Sequence, residues 1–202
     1  VELWGITGTM GAGKSVALEI LKGRGYPVAD ADQASREVVD ASTPEGRAAV
    51  QELVRAFGAD VGNEDGSLDR AALRSIVARD ESRRLHLEAL LHPLIRSHVL
   101  ARTSTWAKSG ARLGFVEGTR LIESGFVDRA TGLIVVAAPQ AQRLERVRLR
   151  NPSQPASELR ALMETQDEDL MRRHARYVWE NGGTRADLEK QIDAFLTERL
   201  QG

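Results

Sequence analysis

The chain has 202 residues, a net charge of −1 and no cysteine, long enough for one domain that buries a substantial core and carries an inserted lobe. The balanced charge excludes a strongly basic nucleic-acid surface, and the missing cysteines exclude a disulfide framework and Cys-based zinc sites, which agrees with a reducing, cytoplasmic setting. No apolar run approaches the roughly 18 residues of a membrane span, and the first residues enter a strand directly rather than a basic leader.

Leu3-Trp4-Gly5-Ile6 is a hydrophobic run with the length of a strand, and Gly8-Thr9-Met10-Gly11-Ala12-Gly13-Lys14-Ser15 follows it with the spacing Gly-x-x-x-x-Gly-Lys-Ser. Val16, Ala17, Ile20 and Leu21 then repeat at helical intervals, so the order is strand, loop, helix. A polyphosphate needs to be wrapped by backbone N–H donors, and glycine lets the chain curl around it without side-chain clashes. The helix that starts near Gly13 aims its open amides at the anion, Lys14 reaches the terminal phosphates, and the Ser15 hydroxyl can hold Mg²⁺. Such a loop could also be a plain glycine-rich turn.

Gly23 and Gly25 stop the first helix near Lys22. Tyr26-Pro27-Val28-Ala29 reads as a second strand that runs into Asp30-Ala31-Asp32 and a helix with Arg36. Ligands of open α/β sheets gather beyond the carboxyl ends of the strands, which makes Asp32 a candidate for the site; it could equally cap the next helix. Residues 43–110 read as a helical insertion. Thr43-Pro44 opens one helix and Gly58 ends it, Asn63 to Ser67 is a turn, and further helices cover 70–79 and 81–91. Pro93 disfavours the α conformation at His92, so one helix is expected to end there and another to begin. His92 would then stand at a junction, as a substrate contact or as a structural histidine.

Leu113 to Val116 forms a third strand that ends in Glu117, an acid placed to orient a metal-bound water or simply to face solvent. Leu133 to Ala138 is the most apolar strand, expected at the centre of a parallel sheet. The next helix carries Arg143, Arg146, Arg148 and Arg150, and Asn151 to Pro155 separates it from another helix. Arginines on such a helix–loop–helix either line a solvated face or form a lid over a triphosphate, with Arg146 and Arg150 the candidates for the lid. Tyr177-Val178-Trp179 is the last strand. It leads to Asn181-Gly182-Gly183, a border for adenine or a tight turn, and to a helix capped by Thr184 with Asp187.

These elements in this order describe a small-molecule kinase of the P-loop class: an α/β fold with a parallel five-stranded sheet flanked by helices. The sequence also resembles the dephospho-coenzyme A kinase family over nearly its whole length. The resemblance is carried by Gly5 to Gly8 running into Gly11 to Ser15, Asp30-Ala31-Asp32 with Arg36, and Asp65-Gly66-Ser67-Leu68-Asp69-Arg70. Leu90-Leu91-His92-Pro93-Leu94-Ile95-Arg96, Leu121 to Gly125 and Asn181-Gly182 complete it. It implies transfer of the ATP γ-phosphoryl group to the ribose 3′-hydroxyl of dephospho-coenzyme A, with Mg²⁺ and without nucleic-acid or membrane partners, by a cytoplasmic protein expected to be a monomer.

The resemblance further implies a core of residues 1–42 and 111–202, an acceptor-binding insertion of about 43–110, and a lid of about 143–172. Asp32 would accept the hydroxyl proton beside Arg36 and His92. Gly11, Ala12, Gly13, Lys14, Ser15, Val16, Arg146 and Asn181 would bind nucleotide, with Lys14 and Arg146 also catalytic. Ser15 and Glu117 would hold the metal. The chain departs from the family pattern at Val16, where threonine is usual, and over Glu117 to Leu121. A P-loop kinase for another small acceptor and an ATP-binding module without turnover are the competing readings. The guanine-specific strings Asn-Lys-x-Asp and Asp-x-x-Gly are both absent.

Overall fold

The computed structural model describes residues 1–201. In chain order its elements are β1 (Glu2–Thr7), α1 (Lys14–Gly23), β2 (Val28–Asp30), α2 (Ala31–Glu37), α3 (Pro44–Phe57), α4 (Arg70–Val77), α5 (Glu81–Lys108) and β3 (Leu113–Glu117). They continue with β4 (Gly132–Ala137), α6 (Gln140–Arg150), α7 (Ala156–Glu164), α8 (Glu168–His174), β5 (Tyr177–Glu180) and α9 (Arg185–Gln201). No helix among the described residues is long and apolar enough to cross a membrane.

The strands form a five-stranded parallel sheet in the order β2-β3-β1-β4-β5. The register sets Ile6 of β1 beside Glu117 of β3 and beside Ile134 of β4. The middle position belongs to β1, which carries the glycine-rich loop, and not to β4. The greater apolarity of β4 reflects only that it, too, has a strand on each side and is buried from Leu133 to Ala137. Two compact units result, one of Val1–Ala29 with the chain from Thr103 onward, the other of Asp30–Arg102.

In the first unit, alternate residues of the strands bury opposite faces of the sheet. Trp4, Ile6, Phe115, Ile134, Val136 and Trp179 pack against Ile20 and Leu21 of α1 and against Leu188, Ile192, Phe195 and Leu196 of α9. Trp4 meets the ring of Phe195 edge-on at 5.0 Å, an arrangement that the ring quadrupoles favour. The start of α9 is fixed by a reciprocal pair: the Thr184 amide donates to Asp187 Oδ2 (2.9 Å), and the Asp187 amide to Thr184 Oγ1 (3.3 Å). Between β4 and β5 the chain makes a helical excursion, α6 to α8, with its own small core of Val147, Leu159 and Met163.

The second unit gathers Val39, Val50, Leu53, Phe57, Val61 and Leu73 into one cluster. Thr43 Oγ1 accepts from the Gly46 amide at the start of α3 (3.0 Å), and Gly58, at φ 106°, ends that helix, both as the sequence suggests. Pro93 behaves differently from expectation, because α5 runs unbroken through it to Lys108. A proline inside a helix removes one ladder hydrogen bond and costs about 3 kcal/mol or more. Here that loss falls in the middle of 28 residues, where partly buried Leu87, Leu90 and Leu91 hold the preceding turns against the cluster.

Glu37, the last residue of α2, has His98 Nε2 at 2.7 Å and accepts from Arg102 Nη1 at 3.0 Å. The bond to His98 and the Arg102 charge together hold its carboxyl below the ordinary 4.5 despite some opposing burial. A carboxyl lowered in the folded state contributes stability that is present above its unfolded value and is lost as pH falls through the folded one. Glu37→Gln is therefore expected to flatten the acid limb of stability, read by thermal melts between about pH 6 and about pH 3. Parallel acid limbs in mutant and parent would refute this.

Candidate active site

The glycine-rich loop connects β1 to α1 and is held in shape from several sides. Gly11 and Gly13 both take positive φ, 80° and 99°. A methyl group at 11 would lie 2.5 Å from the Arg143 carbonyl oxygen, and one at 13 would run into the Asn181 amide. These two positions therefore need glycine for space as well as for backbone conformation. Gly13 is also the N-cap residue of α1 and has no side chain to cap it, so the first-turn amides remain directed at whatever lies beyond the helix start.

Lys14 Nζ donates to the Gly8 carbonyl at 2.8 Å, which folds the side chain back over the loop. Arg146 of α6 donates to the Asn181 carbonyl (2.9 Å), the Gly11 carbonyl (3.3 Å) and Gln142 Oε1 (3.3 Å). Buried Asn181, just beyond β5, donates from Nδ2 to the Ala12 carbonyl at 2.8 Å. Ser15 lies exposed in the first turn of α1, and half-buried Glu117 closes β3 next to β1. The Val16 amide is taken up inside the helix by the Gly13 carbonyl at 3.0 Å. Thus Gly11, Ala12, Gly13, Lys14, Ser15, Val16, Arg146 and Asn181 surround one loop. Arg150 does not join them: it is exposed at the end of α6, with no contact to the loop among the described residues.

Two loop contacts, and two further contacts that brace them, come from residues that sequence reasoning did not assign to the site. The Met10 amide donates to Gln166 Oε1 at 2.6 Å, Arg143 Nη1 donates to Thr9 Oγ1 at 2.8 Å, and Arg143 Nη2 pairs with Glu168 at 3.2 Å. Arg143 also donates to the Ala138 carbonyl at 3.0 Å, which ties α6 to the end of β4. Gln142, Arg143 and Arg146 lie one helical turn apart or less, and that spacing on an arginine-rich helix was the available signal.

In the second unit, Asp30 ends β2 and its Oδ1 accepts from the amides of Asp32 (2.8 Å) and Gln33 (2.9 Å). Asp30 is thus the cap of α2, and Asp32 is not. Asp32 is exposed in the helix's first turn, and Arg36 is exposed one turn further on. His92 is half-buried in the middle of α5 instead of standing at a helix junction. Removing the cap with Asp30→Ala should cost about 1 kcal/mol and lower the melting temperature accordingly; an unchanged melt would show that α2 needs no cap.

The model of the family described as dephospho-CoA kinase matches residues 3–187. A dephospho-CoA kinase from Anaeromyxobacter dehalogenans is 35% identical over 98% of this chain and 92% of its own. One from Frankia casuarinae is 38% identical over 97% of this chain and 82% of its own. A solved structure from Thermus thermophilus superposes with a TM-score of 0.80 at 34% identity, covering 98% of this chain and 97% of that one. A match from the first strand to the start of the last helix, with relatives aligned over most of their own length, means that this chain belongs to the dephospho-CoA kinase family.

Proposed function

We infer that the protein transfers the γ-phosphoryl group of ATP to the ribose 3′-hydroxyl of dephospho-coenzyme A, giving coenzyme A and ADP. The observation that carries this reading is the near full-length match to relatives named for that reaction, joined to a loop already shaped for a polyphosphate. Phosphoryl transfer asks the protein chiefly for positioning and charge stabilisation, with little covalent work. The amides of the loop and of α1 hold the β- and γ-phosphates, while Lys14 leaves the Gly8 carbonyl to follow the charge onto the γ-phosphoryl oxygens. Arg146, fixed by three acceptors beside the loop, adds a second cation. Asn181 holds the loop from the adenine side.

Mg²⁺ suits the oxygen donors of the first unit, the Ser15 hydroxyl and the Glu117 carboxylate, since this hard cation selects oxygen ligands. Held by Ser15 and Glu117, the ion would supply positive charge that offsets the charge on the phosphate groups. The helical second unit takes the acceptor, where Asp32 orients the ribose hydroxyl and receives its proton, with Arg36 and His92 beside the substrate. The helices α6 to α8 form the lid.

The direct test is ADP release from Mg-ATP by the full chain, with and without dephospho-coenzyme A. Release that depends on this acceptor, with product phosphorylated at the 3′ position, is expected. Acceptor-independent hydrolysis, or a stronger response to another hydroxyl acceptor, would overturn the assignment.

A further inference from the structure

The excursion between β4 and β5 is tied to the glycine-rich loop at both of its ends. Arg143, in the first turn of α6, directs each edge of its guanidinium at a different partner. Nε donates to the Ala138 carbonyl at 3.0 Å, Nη1 to Thr9 Oγ1 at 2.8 Å, and Nη2 pairs with Glu168 Oε2 at 3.2 Å. Glu168 opens α8, and its Oε2 lies 3.5 Å from the same Thr9 hydroxyl. Acid, guanidinium and hydroxyl therefore close a triangle around Thr9, a residue only 2% exposed. Just before α8, Gln166 Oε1 accepts from the Met10 amide at 2.6 Å. The other oxygen of Glu168 accepts from Arg172 Nε at 3.1 Å, and Arg172 Nη1 donates to Glu180 at 3.0 Å. Next to Glu180 stands Asn181, whose Nδ2 returns to the loop at the Ala12 carbonyl. The loop is thus ringed by polar contacts that leave it at Thr9 and Met10 and come back at Ala12.

Arg143 and Arg146 lie one turn apart on α6 but differ in how their charge is met. Arg146 donates to three neutral oxygens, so its charge stays available to an anion. Arg143 faces a carboxylate, and that pair is enclosed: its side chains are 12% and 23% exposed, against 57% and 35% for the surface pair of Arg185 and Glu189. Water competes for both partners of a surface pair and the side chains stay mobile, whereas an enclosed pair with charge-assisted hydrogen bonds holds one geometry. The guanidinium fork is planar and rigid, so fixing Nη2 on Glu168 also fixes the direction of Nη1 toward Thr9.

We propose that Glu168 and Arg143 are a positioning pair for phosphotransfer: Glu168 orients and neutralises the Arg143 guanidinium, which in turn sets Thr9 and the first half of the phosphate loop. The pair rests on the phosphotransfer reading above and adds to it residues that touch neither the substrates nor the reacting atoms. Loop amides serve an incoming anion best when they are already in place, and a misplacement of about 1 Å caused far from the chemistry can cost about 10²-fold in rate. The two arginines of α6 then have separate tasks. Arg143 shapes the loop, and Arg146 keeps its charge for the nucleotide.

The test compares the full chain with Glu168→Gln, Arg143→Met, the double variant and Thr9→Val, the last of which replaces the hydroxyl that receives Arg143 by a methyl group. Calorimetry gives the Kd for ADP and for dephospho-coenzyme A. Acceptor-dependent ADP release from Mg-ATP is measured in parallel, and thermal melts establish which variants are folded. Each single substitution is expected to lower kcat/KM for ATP by about 10- to 100-fold, the scale of a lost charge-assisted hydrogen bond. ADP binding should weaken as well, with the Kd for dephospho-coenzyme A unchanged. Glu168→Gln and Arg143→Met alter the local charge in opposite senses, so a loss in both is the signature of positioning. The double variant restores the charge balance and should be no worse than the poorer single, because the two residues act as one unit.

Effects of opposite sign in the two charge-changing variants would mean that they act through the local field alone, and would overturn the pair. So would additive losses in the double variant, or parental ADP binding and turnover in both folded singles. Equal losses for ADP and dephospho-coenzyme A would do the same, since they would mean general damage. Should a charge-changing variant fail to fold, Thr9→Val decides, and parental behaviour there overturns the pair. Weakened ADP binding as expected, with a parent that shows no acceptor-dependent ADP release, would leave the pair standing and overturn the reaction. No binding of ADP by the parent would overturn both.

Discussion

Replacing Lys14 by alanine is expected to lower kcat by about 10²- to 10³-fold, the usual cost of losing one donor aimed at developing charge, and to raise the KM for ATP as well. Both constants should move because the role proposed for Lys14 has its ammonium group meet phosphate in the ground state and in the transition state. In the structure Nζ is parked on the Gly8 carbonyl at 2.8 Å. Reaching a γ-phosphoryl oxygen thus exchanges one acceptor for a stronger, charged one. The cost of stripping water from the ammonium group has in part been met before the nucleotide arrives. The effect is read from steady-state kinetics with ATP varied at saturating acceptor. A mutant with parental kcat would remove Lys14 from the chemistry.

Asp32→Asn should have a comparable effect with a different signature: kcat falls by about 10²- to 10⁴-fold, the usual contribution of a positioned base, while the KM for ATP is kept. The side-chain shape is preserved, while the negative charge and with it the ability to take a proton are lost. The structure makes this a clean experiment, because Asp30 and not Asp32 caps α2. The helix start therefore survives the substitution, and an unaltered melting temperature is part of the expectation. Full turnover in the asparagine variant would assign proton removal elsewhere. A fall in kcat together with a lowered melting temperature would point to structural damage.

The sequence made the glycine-rich loop of the candidate site legible because the residues of that loop are contiguous. One stretch, Gly8 to Ser15, supplies the loop and the helix start, and its glycine spacing has a steric cause that the close approaches to Arg143 and Asn181 make visible. The surrounding contacts were harder to read, since Gln166 and Glu168 reach Met10 and Arg143 from the far end of two intervening helices, and no local pattern encodes such a meeting. Asp30 shows another limit: with two carboxylates two residues apart, composition alone could not tell the cap from the candidate base. At Pro93 a local rule was overridden by packing along a long helix. Strand positions were read from apolar runs, but the order β2-β3-β1-β4-β5 depends on crossovers that hydrophobicity does not specify.

The cross-bracing of the loop by Gln166, Glu168 and Arg143 has a consequence for how the molecule loosens. Its outer anchor belongs to an excursion in which Val147, Leu159 and Met163 form a cluster with Met10 and Leu144 packed against it, smaller than the aromatic-rich packing under the sheet. Small nuclei open first, in sub-global fluctuations that leave the rest folded. On warming, the nucleotide cradle should therefore lose its tautness well before the sheet dissolves, so that catalytic competence and foldedness part company at different temperatures. The amide of Met10, held by Gln166, is the place where hydrogen exchange would register that separation.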